Sequence, residues 1–515
     1  MRYGKFVAAG AACLTAGILL SAPAEAQRHL TPVASPMTSE TRLVTAQQLI
    51  EAAARDVAKE KAEAAKGKAD SGNAAKDEGA SKTEDAAKKE DAAKTLTKDL
   101  AKKMETKDAV KDAAKDVAAF HAKKVRLTWP IVPSAVRYQV VLLKAFGDAA
   151  ENVVWSTDQV YTNGIEINLA PFGEKAAKYY WKVCPLNYAG EAIAKATAPA
   201  PITDGELDPK APLPTTEFEK MDYAPLYPVF SWVPTAGAKH HVIEVYRVKP
   251  EGNQLIRTLQ AGEYDYYEEG GYTVPGTYAW RVQAVDESGW PLSDWSPLSE
   301  FQVTAPTPIA ALGDSSTHGG GAMSTPPGYL LYDWESYSAV PIKNLGYSGN
   351  TTQDMIDRFE RDVWPFSPRV LVIMGGVNDY RGTVYGSETV EHLIALRDKC
   401  LAYGITPVFT TVTPINPGLI RRYGQIEIPP ADWQVHRDYI NHWVLEQTYA
   451  IDVAKALEDG AGWLATKYTT DGLHPDYLGQ RYIGETIGRY LSAHFPWITG
   501  KLVQKPIILP EEPAK

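Results

Sequence analysis

Pro308-Ile309-Ala310-Ala311-Leu312-Gly313-Asp314-Ser315-Ser316-Thr317 is the stretch on which the reading of this chain turns. Ile309 to Leu312 form a short apolar run of strand character, and the Gly-Asp turn after it would hold the Ser315 hydroxyl at the mouth of a sheet. A serine so placed is a candidate nucleophile for covalent catalysis. Gly-Asp-Ser is also an ordinary turn sequence, so the decision rests on what the rest of the chain supplies.

A serine hydroxyl is a poor nucleophile until a base removes its proton, and the base needs a group to orient it. Asp471-Gly472-Leu473-His474-Pro475 puts a carboxylate three residues before an imidazole. That spacing lets Asp471 hold one ring nitrogen of His474 while the other faces the serine. The segment also reads as a loop leading into a helix, with a capping aspartate and an incidental histidine.

Acyl transfer further requires donors aimed at the oxyanion of a tetrahedral intermediate. Two segments behind strands offer them. In Gly346-Tyr347-Ser348-Gly349-Asn350, Gly349 could expose a backbone N–H or serve only the turn. The apolar run Arg369 to Met374 ends in Gly375-Gly376-Val377-Asn378-Asp379, where Asn378 could donate its amide or merely stabilise the turn.

These four blocks, in this order, resemble the SGNH hydrolase family of GDSL-type esterases and lipases over residues 309–491. The resemblance implies that Ser315 is the nucleophile, His474 the general base and acid, and Asp471 the group that orients it. It assigns the oxyanion hole to the Ser315 and Gly349 N–H groups and the Asn378 amide. Ser316 stands where the family often has leucine, a departure that bears on packing more than chemistry. The chemistry it implies is a two-step acyl transfer needing no metal and no cofactor. His318-Gly319-Gly320-Gly321 is similar to the oxyanion segment of α/β-hydrolase lipases. It follows the serine instead of preceding it, and no G-x-S-x-G elbow exists, so it reads as a flexible rim loop.

The surrounding pattern alternates. Ile309 to Leu312, Ile342 to Leu345, Val370 to Met374, Pro407 to Val412 and Ala450 to Val453 are strand-like; Thr351 to Val363, Glu388 to Tyr403, Asp432 to Glu446 and Tyr477 to Leu491 are helical. This predicts an α/β, flavodoxin-like domain over 306–497 with a mostly parallel five-stranded sheet, its active groups at the strand carboxyl ends.

Upstream, Leu127-Thr128-Trp129 with Tyr138 to Leu143 recurs as Phe230-Ser231-Trp232 with His241 to Tyr246. Tyr179 to Val183 likewise recurs as Tyr278 to Val282. Alternating apolar residues and Gly and Pro turns predict two β-sandwich modules, 125–205 and 224–305, joined by a linker at 206–223. They resemble fibronectin type III domains. Trp129, Trp181, Trp232 and Trp280 are expected in their cores, with Trp290 and Trp295 exposed. Adjacent His240 and His241 point to opposite faces of a strand, which argues against a metal pair.

Arg2 and Lys5 precede the apolar run Phe6 to Leu20, and Ala24-Glu25-Ala26 ends it with cleavage-type spacing. Residues 1–26 are thus expected to be a secretory signal peptide of bacterial style, and the protein secreted, periplasmic or at the cell surface. The run is short for a bilayer span. Between Val57 and Leu96 the only apolar side chain is alanine, so 27–124 is expected to be a partly helical or disordered spacer, with a coiled-coil stalk as the alternative. Residues 498–515 form a tail. Cys184 and Cys400 fall in different expected domains, so packing suits them better than a disulfide. A net charge of −10 argues against nucleic acid as a partner.

Three function classes follow. The first is an exported esterase acting on short acyl groups, acetyl above all, of carbohydrate or cell-envelope glycan, with the upstream modules as spacers or envelope attachments. The second is a lipase, lysophospholipase or thioesterase using the same residues, which needs a long apolar groove; the Tyr329 to Tyr337 segment and the Trp433 to Trp443 helix instead offer aromatic and polar groups suited to sugars. The third is a surface-binding protein with an inactive hydrolase domain.

Overall fold

The computed structural model describes residues 124–319, 329–423 and 428–498, all within one compact unit. The expected signal peptide, the spacer up to residue 123, Gly320 and Gly321, and the tail beyond residue 498 lie outside these. Among the described residues no helix is long and apolar enough to cross a membrane.

The carboxyl-terminal part is built on five parallel strands: β1 (Ile309–Gly313), β2 (Lys343–Gly346), β3 (Val370–Met374), β4 (Thr406–Thr410) and β5 (Ala450–Ile451). Their order is β2-β1-β3-β4-β5. The order reverses between β1 and β3, and in such sheets the crevice at the strand carboxyl ends beside that point receives the ligand.

The connecting helices are α1 (Ser315–His318), α2 (Thr352–Asp357), α3 (Phe359–Asp362), α4 (Val377–Tyr380), α5 (Gly386–Ala402), α6 (Pro417–Tyr423), α7 (Trp433–Leu445) and α8 (Tyr477–His494). Successive strand residues face opposite ways, and the two faces carry separate cores. Ala310, Leu312, Leu371, Ile373 and Phe409 pack with Met355, Phe359, Leu393 and Ile440, whereas Ile309, Ala311, Val370, Val372 and Val408 pack with Ile483, Ile487 and Leu491 of α8. With both faces covered, β1 and β3 are buried along their whole length, which explains their unbroken apolar sequence. Each fully buried aliphatic side chain contributes about 1.5–3 kcal/mol.

The single helix expected over Thr351 to Val363 is instead two short helices. They meet at Arg358, whose backbone leaves helical geometry (φ −100°, ψ 0°) while its guanidinium turns into the core. The helices α1, α4 and α6 escaped sequence periodicity because each is a single turn or two.

Residues 124–303 form antiparallel sheets in two similar sets. In the first, Lys124–Thr128 pairs with Gly164–Asn168 beside a four-stranded sheet ordered Val153–Val160, Arg137–Leu143, Tyr180–Leu186, Ala200–Pro201. In the second, Val229–Ser231 pairs with Asp265–Tyr267 beside Gln254–Ala261, His240–Arg247, Gly276–Val285, Ser299–Val303. The sequence repeat is therefore a strand-for-strand repeat. Trp129, Trp232 and Trp280 are buried; Trp181 is only half-buried. Trp290 is exposed, while Trp295 is partly covered by the Arg281 guanidinium, 4.4 Å from its ring centre. His240 is exposed and His241 buried, as their opposite faces require. Cys400 is buried, Cys184 half-buried, and both are free thiols.

Within 206–223, Thr215 N–H and Val233 N–H bond across to Ser231 and Leu213 carbonyls, and Phe218 enters the second set's core. This stretch packs against the second module along part of its length. That module's core is also continuous with the α/β domain: Phe230, Trp280 and Phe301 belong to the same apolar cluster as Leu312, Leu345 and Phe359.

Candidate active site

The site is assembled at the carboxyl ends of β1, β2 and β3. Gly313 closes β1, where a side chain would collide with Thr317 Oγ1 and the Met374 carbonyl (2.2 and 2.6 Å from a Cβ), so only glycine lets the chain turn here. Asp314 then caps α1, its carboxylate accepting the Ser316 N–H at 2.9 Å while its carbonyl takes the Thr317 and His318 N–H groups. Ser315 is the first residue of α1, and its N–H has no acceptor among the described residues. Burial drives the Asp314 carboxyl up to about 6 against the pull of the Ser316 N–H and of His474.

Ser315 Oγ lies 2.9 Å from His474 Nε2, and His474 Nδ1 lies 2.7 Å from Asp471 Oδ2. The other Asp471 oxygen accepts the Leu473 and His474 N–H groups, both at 2.8 Å. Burial works to raise the Asp471 carboxyl, but the His474 charge and these hydrogen bonds outweigh it and hold it below the usual range. A charged Asp471 fixes the Nδ1–H tautomer, which leaves the Nε2 lone pair facing the serine hydroxyl.

Gly349 adopts φ +86°, a backbone that other residues rarely take, and its N–H also has no acceptor among the described residues. Asn378 sits on α4. Its amide donates one hydrogen to the Asn350 carbonyl (2.8 Å), its oxygen accepts Arg381 Nε (3.0 Å), and its second amide hydrogen remains for a further acceptor. The structure thus joins Ser315, His474 and Asp471 in one hydrogen-bonded chain, and links Asn378 to the loop that carries Gly349.

Several supporting residues were invisible to motif reading. Asp379, fully buried, accepts the Thr352 N–H at 3.0 Å and the Thr352 hydroxyl at 2.5 Å, tying α4 to the start of α2. Arg358, 4% exposed, reaches the Gly313 carbonyl (2.9 Å), the Leu345 carbonyl (2.7 Å), Asn350 Oδ1 (2.5 Å) and Asp362 (3.0 Å). One guanidinium therefore fastens the ends of β1 and β2 and the loop after β2. Nothing but tertiary contact could reveal it.

One expectation fails and another holds only in part. His318 is not on a flexible rim: it is 3% exposed and both ring nitrogens are hydrogen-bonded, because α1 directs it inward. The Tyr329 to Tyr337 segment and the Trp433 to Trp443 helix turn most of their large rings inward, although Tyr439 is 54% exposed. Tyr332 and Trp334 are buried, Trp433 stacks on Tyr380, and Trp443 packs on Phe409, since these rings complete the cores beneath them.

Residues 311–482 match the model of the GDSL-like lipase/acylhydrolase family. Over 85 residues, 15% of this chain, the sequence is 34% identical to the uncharacterized lipoprotein YqeF of Bacillus subtilis (strain 168), and spans about a third (35%) of that relative's length. Among solved structures, a lipase/acylhydrolase from Enterococcus faecalis is 22% identical, with 36% of this chain and 96% of that one covered, at a TM-score of 0.30. A catalytic mutant of an acetylxylan esterase from Geobacillus stearothermophilus is 20% identical, with 38% and 99% covered, at a TM-score of 0.29. At these TM-scores the two structures add nothing to the family match. Residues 311–482 belong to the GDSL-like lipase/acylhydrolase family, and the chain carries a serine hydrolase domain of the SGNH type.

Proposed function

We propose that the protein is an exported serine esterase that removes short acyl groups, acetyl above all, from carbohydrate or cell-envelope glycan. The observation that carries the catalytic part is the hydrogen-bonded chain Ser315 Oγ, His474 and Asp471, with contacts of 2.9 and 2.7 Å.

In this reading Ser315 Oγ attacks the ester carbonyl as His474 Nε2 takes its proton. The oxyanion is held by the Ser315 and Gly349 N–H groups and the free Asn378 amide hydrogen. The tetrahedral intermediate collapses, the C–O bond to the alcohol breaks, and the imidazolium returns its proton to the departing alkoxide. Water, deprotonated by the same imidazole, then attacks the acyl-serine, and collapse releases the acid and restores the hydroxyl.

The short length of the acyl group is supported by the groups beside the serine. Ser315 is 5% and Asn378 7% exposed, and Arg381 brings a positive charge against Asn378. Such surroundings favour a compact acyl group over a long hydrocarbon chain. The upstream modules, read as fibronectin type III-like, would space or dock the enzyme at its substrate, and the expected signal peptide would export it.

Acetate release from acetylated glycans and cell-wall material, compared between the wild type and Ser315→Ala, tests this. Release by the wild type alone is expected. A rate that climbs steadily with acyl-chain length would instead assign the lipase class.

A further inference from the structure

The upstream module meets the candidate site along β2. Ala224 to Tyr227 run beside β2, with the Leu226 N–H bonded to the Asn344 carbonyl at 3.0 Å and the buried Lys343 ammonium on the Ala224 carbonyl at 2.5 Å. Tyr227 then contacts the loop after β2. Its ring stands edge-on to Tyr347, with centroids 4.7 Å apart.

His318 bridges the same two elements. Its Nε2 lies 2.6 Å from the Tyr227 carbonyl, which can only accept, so Nε2 carries the hydrogen. In a neutral ring Nδ1 must then be the acceptor. It takes the Ser348 hydroxyl at 2.9 Å and the Ser348 N–H at 3.3 Å. Burial holds the imidazole down to about 4, which keeps the ring neutral and Nδ1 open at ordinary pH.

A second route starts from the same tyrosine. The Tyr227 hydroxyl donates to Asp362 at 2.7 Å, Asp362 pairs with Arg358 at 3.0 Å, and Arg358 donates to Asn350 Oδ1 at 2.5 Å. Ser348 and Asn350 flank Gly349, so both neighbours of the proposed oxyanion N–H are fastened to Tyr227.

We infer that His318 is a positioning residue that, with Tyr227, holds the oxyanion loop Tyr347 to Asn350 in place from the upstream module, making that module part of the active site. This rests on the serine-esterase reading above. The motif that looked like a lipase oxyanion segment thus supplies no donor to the substrate. It steers the peptide that does.

The test uses the full chain, with kcat and KM on p-nitrophenyl acetate and the second-order rate of serine phosphonylation by a fluorophosphonate. Phosphonylation needs the oxyanion hole but no turnover. His318→Phe keeps the ring's bulk and removes all three of its hydrogen bonds. It should lower kcat and phosphonylation about tenfold or more with KM within about twofold, because a small misplacement of a transition-state donor weighs on the chemical step. His318→Asn, which keeps an acceptor near Ser348, should recover part of the loss. Ser348→Ala should lower kcat about threefold to tenfold, and its loss should not add to that of His318→Phe, since both cut one link. Trp232→Phe, in the core of the second module, should lower Tm without lowering kcat.

A folded His318→Phe protein with kcat and phosphonylation within twofold of wild type overturns the inference, as do losses that multiply in the double variant. Should His318→Phe not fold, Ser348→Ala decides alone, and an unchanged kcat is the refuting result. Full turnover by Ser315→Ala would overturn the esterase reading itself. An inactive Ser315→Ala protein beside an unperturbed His318→Phe protein would sink only this inference.

Discussion

Replacing Asp471 by asparagine should separate the tautomer argument from mere packing. In the structure Asp471 Oδ1 accepts the N–H groups of Leu473 and His474, each at 2.8 Å. Asparagine can satisfy these only with its carbonyl oxygen, which places its NH2 group where Oδ2 lies 2.7 Å from His474 Nδ1. Facing a donor, Nδ1 must accept, so the ring proton moves to Nε2, 2.9 Å from Ser315 Oγ. Nε2 then has no lone pair for the serine proton. The expected cost is about 10³- to 10⁴-fold in kcat. At about 1.36 kcal/mol per tenfold this corresponds to about 4–5.4 kcal/mol in the barrier. The assay is steady-state hydrolysis of p-nitrophenyl acetate near neutral pH, with circular dichroism to establish that the variant is folded. A folded Asp471→Asn enzyme with kcat within tenfold of wild type would refute the reasoning.

Other consequences follow from the same geometry. Asn378→Ala removes one oxyanion donor and should lower kcat about 10²- to 10³-fold with little change in KM, read from the same kinetics. Arg358→Met removes the charged donor from the Gly313 and Leu345 carbonyls and from Asn350, while Asp362 keeps Tyr227 and Arg361, and should destabilise the protein by about 1.5–3 kcal/mol in urea unfolding. For Asp314 the folded carboxyl is raised from 3.8 to about 6, so the folded state binds the proton more tightly. Its contribution to stability is complete below about pH 4 and lost as pH rises through about 6. Asp314→Asn should therefore be more stable than wild type by about 2–3 kcal/mol at pH 8, the advantage disappearing near pH 4. An advantage that persists at pH 4 would contradict the assignment.

The parts of this molecule that could be read along the chain are those whose chemistry is local. Asp471 and His474 meet because three residues separate them in a loop, and the apolar strands β1 and β3 announce themselves because both of their faces are covered. What could not be read depends on contacts between distant segments. Arg358 lies inside the run Thr351 to Val363 expected as one helix, yet it breaks that helix and fastens two strand ends. His318 looked like part of a glycine-rich surface loop, and its ring finds its partners only in distant segments, Tyr227 from 91 residues upstream and Ser348 from 30 residues downstream. Tyr332, Trp334 and Trp433 had the composition of a sugar-binding surface, but composition does not say which way a ring points, and these point into the cores. The preference for a short acyl group now rests on the polar groups around Ser315.

The central claim is that Ser315 is an activated nucleophile. Incubation of the full-length protein with a fluorophosphonate, followed by proteolysis and mass spectrometry, measures it without assuming a substrate. The account predicts a single stoichiometric adduct on Ser315, absent from His474→Ala at matched times. No adduct, or an adduct on another serine, would contradict it.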